Sequence, residues 1–130
     1  MSGRRTSSDV EWKELKDRVR SRDKNVCRLV RVISIKDMLI LKKNAPSYML
    51  SNLDPAHILP VGAHPAYCYL DDNVVMLNHY SHSNLDDMKS PIDGHSISRE
   101  ERDNWWKLIV GEKQLQNLKV AIANLSNKEE

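Results

Sequence analysis

The sequence predicts a small α+β protein, and three observations carry that expectation. Apolar residues recur at three-and-four spacing near both ends of the chain, prolines and a glycine break the middle into short extended pieces, and a run free of both follows. At 130 residues, 40% hydrophobic and 29% charged, the chain has room for one compact core. The expected division is a flexible start (1–9), one folded domain (10–125) and a polar tail (126–130).

The first helix is expected from Val10 to about Asp23, capped by Asp9, with Trp12, Leu15 and Val19 on its buried face and a basic opposite face. Lys24 and Asn25 break the pattern. VCRLVRVISI is rich in β-branched residues and reads as a strand carrying Arg28 and Arg31. The apolar run in DMLILKKNAPSYML is too short for periodicity to assign, and Asn44-Ala45-Pro46 marks a loop.

LDPAHILPVGAHPAYCYLDDN holds two extended stretches, around His57-Ile58-Leu59 and Tyr67-Cys68-Tyr69. Between them Pro60, Gly62 and Pro65 forbid a helix, so the segment reads as a ribbon with a long turn. From Val74, VVMLNHYSHSNLDDM reads as a helix that Asp71, Asp72 or Asn73 can cap. After the turn SPIDG, Ser98-Arg99-Glu100-Glu101 forms a capping box that opens a helix through Trp105, Trp106, Leu108 and Ile109. Gly111 punctuates it, and a last amphipathic helix carries Leu115, Leu118, Ile122 and Leu125, so a helical pair occupies 98–125.

No apolar run approaches the roughly 20 residues that span a bilayer, and the first residues lack the apolar centre of a signal peptide. A cytoplasmic protein without a membrane partner is expected. Cys27 and Cys68 fit neither a disulfide framework nor a zinc knuckle, so both are expected as reduced thiols. The net charge of +2 is unevenly spread: residues 1–50 carry 13 Lys/Arg against 6 Asp/Glu, residues 51–130 carry 7 against 12. That is the pattern of a phosphate-binding surface beside a cation site, and equally of ordinary solvated helices.

Phosphodiester hydrolysis needs a base to deprotonate water, a divalent cation to stabilise charge on the phosphate, and a scaffold that fixes both. Residues 54–86 supply such parts in order: Asp54 and His57 on the first extended piece, Asn73, and then His79, His82 and Asp86 at three- and four-residue spacing on one helical face. LDPAHILP followed by LDDNVVMLNHYSH, with 16 residues from His57 to Asn73 and nine from Asn73 to His82, resembles the signature of the HNH, or ββα-metal, endonuclease family. The lead-in WKELKDRVRSRD…VCRLV is also similar to that family, the loop VGAHPAYCYLDDN is most similar to its phage-encoded members, and the resemblance covers roughly residues 10–88.

The resemblance implies a hairpin-and-helix metal-site core (51–88) and a DNA endonuclease that nicks or cuts both strands. It implies that His57 activates water, that Asn73 pins the hairpin loop, and that His82 with Asp54 or Asp86 holds one divalent cation, Mg²⁺, Mn²⁺ or Ni²⁺. Phage replication, recombination or packaging proteins would be its partners, in the host cytoplasm, and a homodimer would be needed for clean double-strand cutting. Arg18, Arg20, Arg22, Arg28 and Arg31 would grip phosphates, with His64 touching phosphate or closing its turn. His79 either binds the ion or packs and caps, and His95 is expected exposed.

Two departures stand out. The position before the base, usually an acidic or histidine ligand in the family, is Ala56; Asp54 lies on the same side of an extended strand about 6.5–7 Å away. A cysteine pair common before the last histidine is replaced by Asn78 and Ser81, so no structural zinc is expected and the C-terminal helices with Trp105 and Trp106 are expected to support the fold instead. The rival reading is a degenerate HNH fold that binds DNA or protein without cutting. A second is a helical interaction protein working through WWKLIVGEKQLQNLKVAI.

Overall fold

The computed structural model describes residues 7–129 apart from 61, 63 and 64. Its elements in chain order are α1 (Ser7–Arg22), α2 (Ile35–Asn44), α3 (Ser47–Ser51), β1 (Leu53–His57), β2 (Val74–Asn78), α4 (His79–Asp86), α5 (Arg99–Val110) and α6 (Glu112–Glu129). The fold is α+β, with β1 and β2 pairing antiparallel from Leu53 opposite Asn78 to His57 opposite Val74.

Every residue of β2 is buried because both faces of the ribbon are covered. On one face Val74 and Met76 pack with Leu15, Val19 and Trp12 of α1. On the other, Val75, Leu77 and Ala56 join Leu85 of α4, Trp106, Ile109 and Val110 of α5, Leu41 of α2, and Cys27 and Leu29. This burial overturns one expected element: 74–78 is a strand, not the start of a helix, since an unbroken apolar run is what a strand covered on both sides requires. The helix starts at His79, where Asn78 rather than Asp71, Asp72 or Asn73 caps it by accepting from the Ser81 N–H.

Two further expectations are corrected. VCRLVRVISI is not a strand: Leu29–Arg31 form a single 3₁₀ turn, and the segment's only backbone bond to the ribbon described here is Arg28 N–H to the Met76 carbonyl, 2.8 Å. Its side chains explain why, since Cys27 and Leu29 anchor the turn in the core while Arg28 and Arg31 both reach back to Asp23. The second extended stretch also fails to form, as Pro65–Tyr67 is a 3₁₀ turn and the pairing strand comes after Asn73. Asp9 lies within the first turn of α1 instead of capping it, because the helix already begins at Ser7.

The termini match expectation more closely. Lys24 and Asn25 adopt positive φ (57° and 56°) and end α1. Ser98 caps α5 by accepting from the Glu101 N–H, and Gly111, at φ 86°, separates α5 from α6. The ambiguous stretch 37–50 is helical, with Ser34 capping α2 through the Asp37 N–H and a break at Ala45 and Pro46.

Where the cysteine pair of the resembled family is missing, a hydrogen-bond network stands. Asn78 donates its side-chain amide to Ser81 Oγ (3.0 Å), Ser81 Oγ donates to the Pro91 carbonyl (2.8 Å), and the Asn78 N–H points at Cys27 Sγ (3.2 Å). All three side chains are buried, so the bonds are shielded from water and tie β2, α4 and the 90–92 turn together.

Candidate active site

β1 delivers two chemical groups to opposite faces of the ribbon because its side chains alternate. Asp54 shares a face with the fully buried Ala56 and meets α4. Oδ2 of Asp54 accepts from Nδ1 of His79 (2.6 Å) and from Nδ1 of His82 (3.0 Å), while Nε2 of His82 lies 3.3 Å from Oδ2 of Asp86. Burial is the largest influence on the Asp54 carboxyl and pushes its pKa up, but the bonds from His82 and His79 outweigh it and hold the group below the usual range. It is ionised at neutral pH.

His57, at the end of β1, faces the α1 side, where its ring stacks on Trp12 with centroids 5.3 Å apart and planes 18° from parallel. Nε2 of His57 is 3.1 Å from the Cys68 carbonyl. A carbonyl only accepts, so Nε2 carries the proton and Nδ1 keeps a lone pair. Burial first, then the neighbouring charge of His82, lower the His57 pKa, against opposing effects of the Cys68 carbonyl and Asp86. The imidazole is therefore neutral and basic at physiological pH.

Asn73 is completely buried and fastens the loop that carries Cys68. Its Oδ1 accepts from the Leu59 N–H (2.8 Å), and its amide donates to the carbonyls of Leu59 (3.3 Å) and Tyr67 (3.2 Å). The side chain closes the loop from both ends, so the partner of His57 Nε2 is fixed indirectly by Asn73. His57, Ile58, Pro60, His82, Asp86 and Arg102 line one cleft of about 380 Å³.

The structure thus brings His57, His82 and Asp86 to one cleft, joins Asp54 and His79 to it through His82, and places Asn73 in the loop behind His57. Among the described residues, no three His, Cys, Asp or Glu side chains are already closed into a metal-binding group; these donors hydrogen-bond one another. His64 lies outside the described residues, and His95 sits on an exposed turn beside Asp93.

Of the five arginines expected to grip phosphate, four are bonded to partners within the fold. Arg18 is bidentate to Asp71 (both bonds 2.9 Å), and Arg22 binds Asp23 and the carbonyls of Asp71 and Val74. Arg28 binds Asp23, Gln114 and the Val110 carbonyl, and Arg31 the Asp23 carbonyl. Arg20 is exposed and forms no ion pair among the described residues. The centre of this arrangement is Asp23, 1% exposed, which also accepts from the Met76 N–H (3.0 Å). Burial pushes the Asp23 carboxyl pKa up, but the bonds from Arg22, Met76 and Arg28 together bring it below the usual range.

Sequence reasoning missed Asp23, the stacking of Trp12 on His57, and Arg102. Spacing along the chain carries no sign of the first two, which arise where α1 crosses the ribbon. Arg102 shows only as one charge among many on α5.

No family model, curated protein or solved structure matches the chain. Among the described residues, no helix is long and apolar enough to cross a membrane.

Proposed function

We propose that this chain is a divalent-metal-dependent endonuclease of the HNH type that hydrolyses phosphodiester bonds in DNA. The observation that carries the reading is the state of His57: neutral, with Nε2 committed to the Cys68 carbonyl and Nδ1 left as acceptor, in a cleft that also holds His82 and Asp86. A general base needs that tautomer, a fixed ring and a pKa below working pH.

The donor set suits a borderline or hard divalent cation, since two imidazoles and two carboxylates meet within hydrogen-bond or ion-pair contact. His82, through Nε2, and Asp86 would hold the ion, with His79 beside them and Asp54 behind both imidazoles. When bound, it supplies positive charge against the developing charge on phosphate and leaving oxygen. Asp54 orients both imidazoles through their Nδ1–H groups, as carboxylates behind metal-binding histidines do.

In the reaction, Nδ1 of His57 takes a proton from water, and the resulting hydroxide attacks phosphorus opposite the 3′ oxygen. The phosphorus–oxygen bond to that 3′ oxygen breaks, the leaving oxygen takes up a proton from solvent, and His57 returns its proton to solvent. Stacking on Trp12 and the bond to Cys68 keep the ring in one plane throughout.

Plasmid nicking with Mg²⁺, Mn²⁺ or Ni²⁺ tests the proposal. Wild type is expected to nick and His57→Ala to lose activity, with EDTA abolishing it; equal rates with and without EDTA would remove the metal from the mechanism. One observation favours a second reading, a binding module that no longer cuts: Ala56 is fully buried against Val75, Leu77 and Leu85 and offers no ligand. DNA binding by wild type with no nicking in any of the three metals would establish that reading instead.

A further inference from the structure

We infer that Arg102, on the C-terminal helix α5, is the residue that grips the phosphate to be cut; the inference rests on the nuclease reading and names the group that holds its substrate. A phosphodiester is an anion, and a cleft that takes one without a permanent cation would hold it poorly. The arginines of the basic N-terminal half do not furnish that cation at this cleft: Arg18, Arg22, Arg28 and Arg31 are bonded to Asp71, to Asp23 and to backbone carbonyls of the fold itself, and the exposed Arg20 is not among the residues that line it.

Arg102 is the one Lys or Arg among the residues lining the cleft with His57, His82 and Asp86. Its Nε donates to the Leu85 carbonyl at 2.7 Å, near the end of α4. That bond fixes the stem of the guanidinium and occupies one of its five donors, so the terminal amino groups remain to face a ligand. Among the described residues Arg102 makes no ion pair, although Asp86 lines the same cleft. A part-buried guanidinium, anchored at one edge and lacking a carboxylate, is arranged for a planar two-pronged grip on an oxyanion. The bond to Leu85 also couples it to α4, which carries His82 and Asp86, so phosphate and metal donors share one rigid mount.

The test separates phosphate binding from cutting. Binding of a labelled DNA duplex to the full chain is measured in EDTA over a range of salt, with nicking assayed separately. Arg102→Gln is expected to weaken binding about tenfold and to lower the slope of log affinity against log salt by about 0.9. Arg102→Lys should keep the slope but lose most of the nicking. Because the Leu85 bond makes Arg102→Gln a folding risk, wild type is also titrated with inorganic phosphate while the Arg102 Nε–H resonance is followed by NMR. Movement of that resonance on addition of phosphate supports the assignment; a stationary resonance, or a Gln variant with wild-type affinity and slope, overturns it. Loss of nicking in every metal with the Arg102 effects on binding intact would sink the nuclease reading and leave the phosphate grip standing.

Discussion

Replacing Asn73 by Ala removes a fully buried side chain that makes three hydrogen bonds, to the N–H and carbonyl of Leu59 and to the carbonyl of Tyr67. At about 1 kcal/mol net for each bond, the loss is about 3 kcal/mol, and the stranded Leu59 N–H adds to it if water cannot reach. Against a total stability of about 5–15 kcal/mol for a domain of this kind, that is a large fraction. Urea unfolding followed by circular dichroism measures it, with a lower midpoint expected at an unchanged slope. Asn73→Asp should cost more at neutral pH, because it sets a carboxylate oxygen against two carbonyls with no donor between them. The loop also carries the Cys68 carbonyl that holds His57, so nicking should fall further than the unfolded fraction alone explains. A cost for Asn73→Ala below 1 kcal/mol would refute the view that this side chain closes the loop.

Two other perturbations test the surroundings of the site. Asp23→Asn breaks the buried junction of Arg22, Arg28 and β2 and should cost about 3 kcal/mol at neutral pH, the low end for buried pairs because Arg22 is 31% exposed and can turn to water. Since the folded Asp23 pKa is lowered, its stabilisation is complete above the unfolded value of about 3.9 and is lost as pH falls through the folded pKa. The cost in a pH series of urea melts should therefore shrink below about pH 4, and a cost that stays constant to pH 2 would contradict it. Trp12→Leu exposes one face of the His57 ring, so the His57 pKa, now held down chiefly by burial, should rise toward its ordinary value. The acid limb of nicking should move to higher pH, Trp12→Phe should restore much of the original profile, and an unshifted His57 titration by NMR would rule the stack out as the cause.

The candidate site residues were legible in the sequence because type and interval along the chain carry them. His57, Asn73, His82 and Asp86 were candidates from their order and the family resemblance it carries, and the Ser98 cap and the Gly111 break could be read from neighbours three or four residues away. What the sequence alone did not decide was which segments would be strands. Val74–Asn78 and the VCRLVRVISI segment are both apolar and β-branched, yet only the first is covered on two faces and paired with β1. Local propensity cannot separate them, because strand formation depends on a partner supplied by a distant segment.

The same limit applies to charge and to the base. A basic half of the chain marks arginines but not their partners, and only the tertiary structure shows four of them bonded to acceptors of the fold itself. His57 as a candidate base came from the sequence. That its Nε2 is held by Cys68, its ring by Trp12 and its pKa lowered by burial came from the tertiary structure, since each involves groups brought together across long stretches of chain. Hydrogen bonding and burial act through space, and folding alone sets those distances.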